Sequence, residues 1–175
     1  MVYKLLILAI ITFSKLFAVD SLQGIKTFQA DFTQTITKES TQTISYEGKV
    51  FIKNNNRVLW KYTTPIEKNV FLLNDIVVID EPELEQVIYT KLQEQLNILN
   101  ILKDSKKISE NIYESFIYNR KYKIIVDNNI IKKVSYKDEL DNIIVIQFTN
   151  IIQNENIPED FFRFIPPDYY DIIKK

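Results

Sequence analysis

Between residues 28 and 65 the chain alternates apolar and polar side chains in three consecutive runs, which restricts its fold more than any other feature. Successive side chains of a strand point to opposite faces. Read as strands, the first run places Phe28, Ala30, Phe32, Gln34 and Ile36 on one face. The second places Ile44, Tyr46, Gly48, Val50 and Ile52 there, and the third Val58, Trp60 and Tyr62. Asp31, Thr33, Thr35, Ser45, Glu47, Lys49 and Lys61 fall on the other face. This predicts an antiparallel three-stranded meander with one apolar face, to be covered by something else in the chain.

The rest of the sequence extends that sheet. Asn54-Asn55-Asn56 supplies a turn, because Asn tolerates left-handed backbone. Residues 69–73 and 76–80 read as two strands around Asn74-Asp75. Residues 81–91 fit either period: Pro82 can open a helix, while Val87 and Tyr89 suit a strand, which is the preferred reading. Leu92, Leu96, Leu99 and Leu102 form one helical stripe over residues 92–103. Hairpin-like runs follow at 113–119, 121–126, 130–137 and 143–153, then a short helical turn at 159–162 and a return to strand at Phe164. A short helix near Asp20 and Ser21 precedes the meander. The expected fold is mostly β (α+β): an antiparallel sheet of about nine to eleven strands that curls into a barrel or a half-open barrel, with the helix covering part of its concave face and a hydrophobic cavity left beneath. The aromatic residues Phe28, Phe32, Trp60, Tyr62 and Phe71, with Val58, are expected to converge on the covered face, either as filled core or as cavity lining.

Composition excludes most chemistries. The 175 residues contain no His, no Cys and only two Gly, so Cys/His zinc sites, Ser-His-Asp triads and glycine-rich phosphate loops have no material. The net charge of −1 argues against nucleic acid as a partner. Carboxylates are the remaining catalytic candidates, at Asp80, Glu81, Glu83 and Glu85 and at Asp138, Glu139 and Asp141. Both groups fall at turns and read as solvated. An exported carboxylate hydrolase is therefore a minority reading, behind a binding module for an amphiphile such as a glycolipid. No catalytic, metal or cofactor site is expected.

Residues 1–18 differ in kind. Lys4 precedes an unbroken apolar run at 5–11, Lys15 interrupts it, and Leu16-Phe17-Ala18 closes it. This is the pattern of a secretory signal rather than a membrane span. Cleavage after Ala18 leaves one domain, residues 19–175, with 20 basic against 23 acidic residues, a net −3.

Phe28-Gln29-Ala30-Asp31-Phe32-Thr33-Gln34, Tyr46-Glu47-Gly48, Leu59-Trp60-Lys61-Tyr62 with Pro65, and Phe162-Arg163-Phe164-Ile165-Pro166-Pro167 together resemble the LolA-type outer-membrane lipoprotein carrier family. The resemblance implies an unclosed barrel with a helical lid and no reaction. It implies a soluble, monomeric periplasmic protein that takes acylated lipoproteins from an inner-membrane exporter to an outer-membrane receptor. By the same resemblance the cavity is lined by Phe28, Phe32, Val58, Trp60, Tyr62 and Phe71, and Leu96, Leu99 and Leu102 belong to the lid. The family's lid-latching Arg would fall at Asn54 here. Either the latch is weaker or Arg57 replaces it. The receptor of the same fold is anchored through a Cys, which this chain lacks. Mass spectrometry of the exported protein should find Val19 at its N-terminus; retention of Met1 overturns the signal reading.

Overall fold

The computed structural model describes residues 21–38, 42–74, 76–91, 98–117 and 119–175. The expected signal segment, the first hairpin turn and Leu96 lie outside them. Within them a 3-10 turn, Ser21–Gly24, leads into β1 (Thr27–Lys38), β2 (Gln42–Lys53), β3 (Arg57–Thr64), β4 (Lys68–Leu73) and β5 (Ile76–Glu81). The 3-10 turn Pro82–Leu84 and strand β6 (Gln86–Lys91) resolve the ambiguous stretch as strand. Helix α1 (Ile98–Lys103) follows, then β7 (Lys106–Ser109), β8 (Ile112–Ile117), β9 (Arg120–Asp127), β10 (Ile130–Lys137) and β11 (Ile143–Gln153). A 3-10 turn at Glu159–Phe162 and β12 (Asp171–Lys174) complete the chain.

All twelve strands form one sheet in the order β12-β6-β5-β4-β3-β2-β1-β11-β10-β9-β8-β7, with free edges at β12 and β7. The count exceeds the nine to eleven expected. The short β7 and β12 lack a readable alternation, and Phe164 lies outside any strand. The pairing is antiparallel except for β12, which runs parallel to β6.

The meander has the predicted register. Phe28 opposes Ile52, Ala30 opposes Val50 and Phe32 opposes Gly48; Val50 opposes Trp60 and Ile52 opposes Val58. Directly opposed residues share a face. Asn stands in for Gly at the turns: Asn56, Asn74, Asn119, Asn128, Asn129 and Asn154 all have φ between 49° and 63°.

Both faces of the sheet are apolar. One core gathers Phe28, Phe32, Val50, Ile52, Val58 and Trp60 with Tyr122, Ile124, Val134, Ile146 and Phe148 from the far strands, which a flat sheet could not bring together. The sheet therefore curls, and this is its concave face. Leu59, Phe71, Val78 and Val87 occupy the convex face under Ile157 and Phe162 of the C-terminal segment.

Gly48 sits at an irregularity, where pairing passes from Glu47–Thr64 to Gly48–Tyr62. A Cβ on Gly48 would overlap the Lys61 carbonyl oxygen and lie 3.0 Å from Phe32 Cε1. The backbone carbonyl cannot yield as a flexible side chain could. Gly48→Ala should therefore cost at least the roughly 1–3 kcal/mol of an overpacked core, read as a lower urea midpoint by Trp60 fluorescence.

Candidate functional site

The concave face is the site the sequence points to, and five of the six predicted lining residues meet there. Phe28 and Phe32 project from β1, and Val58, Trp60 and Tyr62 from β3. Phe28 and Val58 are fully enclosed, and Trp60 is only 4% exposed. Edge-to-face aromatic contacts fix the packing: Phe32 lies 4.9 Å from Trp60 and 5.2 Å from Tyr62, and Phe28 lies 5.2 Å from Phe148.

Phe71 does not join them. It opposes Leu59 across β3–β4, and Leu59 points away from Trp60. Phe71 packs on the convex side, 5.4 Å from Phe164. Because residues 69–73 are almost wholly apolar, their alternation carried no sign of which face each occupies.

The lid is α1. Its predicted residues Leu99 and Leu102 are buried against the concave core, together with Ile98 and Ile101. Asn100 Nδ2 donates to Asn56 Oδ1 at 3.0 Å, tying the exposed side of the helix to the β2–β3 turn.

Arg57, the residue that could replace the family's latch, bonds the C-terminal segment. It lies on the opposite face from Val58, and its Nη1 donates to Glu159 Oε2 at 2.7 Å. Lys53 Nζ bonds Glu159 Oε1 as well, and donates to the Ile157 carbonyl at 3.2 Å. These two cations hold the C-terminal segment on the convex face, while Asn56 touches the lid.

The end of the concave face away from the lid is aromatic and partly polar. Tyr62 donates its hydroxyl to Gln34 Oε1 at 3.0 Å. Tyr46 lies 5.9 Å from Tyr62, and Tyr122 lies 5.0 Å from Tyr136. Burial pushes the Tyr62 phenol up, reinforced by its neighbours Tyr136 and Tyr46. Tyr62 and Tyr136 sit on β3 and β10, four strand steps or about 19 Å apart in a flat sheet; their interaction is a further mark of the curl. Lys68 Nζ stands 4.7 Å from the Tyr62 ring, and the Arg120 guanidinium 5.6 Å from that of Tyr136. The reading of the residues missed Tyr122, Tyr136 and Phe148, although alternation in 121–126, 130–137 and 143–153 places each on an apolar face of its strand.

The carboxylates divide differently from expectation. Asp138 holds its own turn, its Oδ1 accepting from the backbone N–H groups of Leu140 and Asn142 at 2.9 Å each. Asp80 is not a solvated turn residue. It is buried on the convex face, where it accepts from Asn69 Nδ2 at 2.8 Å. Desolvation raises its pKa above the usual carboxylate value, the Asn69 hydrogen bond opposes this, and Glu67 adds to it. Glu81, the next residue, points to the other face of β5, so these two carboxylates cannot flank one bond. Among the described residues no cluster of His, Cys, Asp and Glu has the shape to hold a metal ion.

The model of the family "Outer membrane lipoprotein carrier protein LolA" matches residues 23–121. The chain belongs to the LolA family. An outer-membrane lipoprotein carrier protein of Wolinella succinogenes is 35% identical over 159 residues, covering 90% of this chain and 92% of the relative. One of Campylobacter jejuni is 34% identical over 171 residues, covering 98% and 99%. The crystal structure of a LolA superfamily protein from Nitrosomonas europaea shares the fold at 13% identity, with a TM-score of 0.52 over 83% of this chain and 94% of that one.

Asp80 makes the LolA-type fold pH-dependent. Its raised pKa means that the folded state retains a proton the unfolded chain releases. The stability it contributes is present below the ordinary value of 3.8 and is lost as pH rises through the folded pKa. Asp80→Asn should flatten that component of a melting-temperature profile and raise the melting temperature at pH 7. A profile unchanged by the substitution overturns this.

Proposed function

We propose that this protein is a periplasmic carrier that shelters the acyl chains of lipoproteins released by an inner-membrane exporter and passes them to an outer-membrane receptor. The observation that carries the reading is the concave face: apolar under α1, whose Ile98, Leu99, Ile101 and Leu102 are buried against it. The Wolinella and Campylobacter relatives, similar along nearly their whole length, bear the carrier name. Nothing is made or broken in this function. The protein binds, encloses and releases.

Energetics support a carrier that can let go. Each buried methylene gains about 0.8 kcal/mol, so an acyl chain of a dozen gains on the order of 10 kcal/mol. Entry must first displace the lid. Ile98, Leu99, Ile101 and Leu102 each hold about 1.5–3 kcal/mol by burial, or roughly 6–12 kcal/mol together. Cargo and lid therefore exchange on nearly even terms, and an acceptor with modestly higher affinity draws the cargo off without a nucleotide.

Purified mature protein should release lipoproteins from spheroplasts, and spheroplasts without it should release none. Because the chain has no Cys, Asn56→Cys with Asn100→Cys can be bridged by a short thiol cross-linker. Bridging should reduce release to the level without protein, and the unbridged double variant should retain it. Full release by the bridged protein would falsify the lid mechanism; no release by the wild type removes the carrier reading itself.

A further inference from the structure

The C-terminal segment covers only part of the convex face, packing on β2 to β6. Next to it, the convex side of β1 and β11 is neutral. Thr33, Thr35, Gln147 and Thr149 share that face, and Asp31 is paired with Lys49 at 2.9 Å. The convex side of β8, β9 and β10 is basic. Tyr122, Ile124 and Val134 face the concave core, so the alternating Lys121 and Lys123 of β9 and Lys133 of β10 point the other way. Lys137, beside Tyr136, does the same. Lys106 joins them from β7, because it opposes Glu114 and Glu114 opposes Lys123. Residues 106–137 carry eight basic and three acidic side chains, and residues 138–175 carry three and eight. The chain is nearly neutral in sum and strongly divided along its length.

Two ordinary explanations of such lysines fall short. Lysine on an edge strand blocks pairing with another sheet. That accounts for Lys106 on β7, but β9 and β10 are paired on both sides. Lysine also serves in ion pairs, as Lys121 does with Glu114 at 2.9 Å and Lys137 with Asp141 at 3.5 Å. Lys123, Lys132 and Lys133 have no carboxylate partner among the described residues. The nearby carboxylates are already engaged: Asp138 accepts from its own turn, and Glu139 lies 4.0 Å from Arg120. Large apolar groups stand among the cations. Phe116 opposes Lys121 and is 69% exposed, and Ile143 opposes Lys137 and is 48% exposed. Unpaired cations interleaved with exposed apolar groups have the composition of a surface that meets lipid head groups and upper chains together.

We propose that this uncovered flank of the convex face docks on an anionic lipid membrane, whose phosphates complement it in charge. The kind of cation favours lipid over a folded acidic partner. A lysine ammonium is a compact charge on a flexible stem and can follow phosphates that move laterally, whereas the rigid fork of arginine suits a fixed carboxylate. Arg120, the one Arg in this stretch, is turned to the ring of Tyr136. The spacing lets the charges act together. Neighbouring strands lie about 4.8 Å apart and alternate residues of one strand about 6.6 Å apart, within the screening length of about 8 Å at physiological salt. Docking by this flank leaves the concave face, on the other side of the sheet, unobstructed.

The test is flotation of the mature protein with vesicles of phosphatidylcholine alone and of phosphatidylcholine mixed with phosphatidylglycerol. Anionic vesicles should carry the protein up, and neutral ones should leave it behind. A lysine near an anionic surface is worth about fivefold in partitioning, so Lys123→Gln with Lys133→Gln should weaken binding about 25-fold, and the paired Glu substitutions further. Binding should vanish at about 1 M salt, where the screening length is about 3 Å. Phe116→Ser should weaken it with the charges left in place. Neither lysine is buried, so the variants should melt with the wild type. Equal flotation with both kinds of vesicle overturns the inference, as does anionic binding that survives in the Glu pair. Self-association of the wild type without vesicles, abolished by the same substitutions, assigns the flank to the acidic end of a second copy and overturns the membrane assignment. The carrier reading stands or falls separately, on release from spheroplasts.

Discussion

A sheet with apolar side chains on both faces needs two covers, and the arrangement of this molecule follows from how unequally they are attached. The convex cover is the segment after β11. It begins with Lys26 donating its backbone N–H to Asn154 Oδ1 and Thr27 Oγ1 donating to the Glu155 carbonyl. It is held midway by Lys53 and Arg57 on Glu159. It ends as strand β12, hydrogen-bonded along β6. The concave cover, α1, enters no sheet ladder. Burial of four aliphatic side chains and the Asn100–Asn56 hydrogen bond are among the contacts that hold it. Hydrogen bonds in a ladder must break together, whereas a helix held by one face can leave as a unit. The convex cover is thus built into the sheet, whereas α1 packs on the concave core without joining a ladder.

This inequality explains why the cations at the β2–β3 turn serve the convex side. Lys53 and Arg57 are odd-numbered positions on strands whose even-numbered residues face the concave core. They could reach the lid only by crossing the strand edge. Glu159 is exposed, so solvent screens these ion pairs; they register the C-terminal segment, and the buried Ile157 and Phe162 beside them hold it. On the lid side, a neutral amide pair gives direction without adding a strong charge interaction that cargo would have to overcome.

Much of this was legible in the residues. Strict alternation through 28–62 determined strand, face and register together, because a one-residue slip would have put Asp31, Glu47 and Lys61 into a core. The failures came where alternation failed. Phe71 sits in a run of apolar residues, so its parity was undetermined and it fell on the wrong face. Asp80 looked solvated because its cover, Tyr170 and the strand after it, comes from a distant segment that no local pattern announces. The parallel β12 was unreadable for the same reason: four mostly exposed residues acquire strand geometry only from β6. The ambiguity at 81–91 was settled by tertiary pairing, since Val87 fills the convex core opposite Asp80.

Trp60 brings these points together. Core and cavity were set against each other as alternatives for its face, and in the structure Trp60 is enclosed on all sides. Enclosure alone does not choose between them, because what encloses it differs from one side to the other. Phe32 and Tyr62 hold it from within the sheet and stay in place whatever the lid does. The buried side chains of α1 belong to the same core. An acyl chain offers the same kind of surface as Leu99 and Leu102, so exchanging one for the other leaves Trp60 buried in both states. Under the carrier function proposed above, such a face would be complete when empty, through the lid, and when loaded, through the cargo. Opening would expose apolar surface to water. That cost would make direct transfer, with donor or acceptor covering the mouth, more favourable than release into solvent.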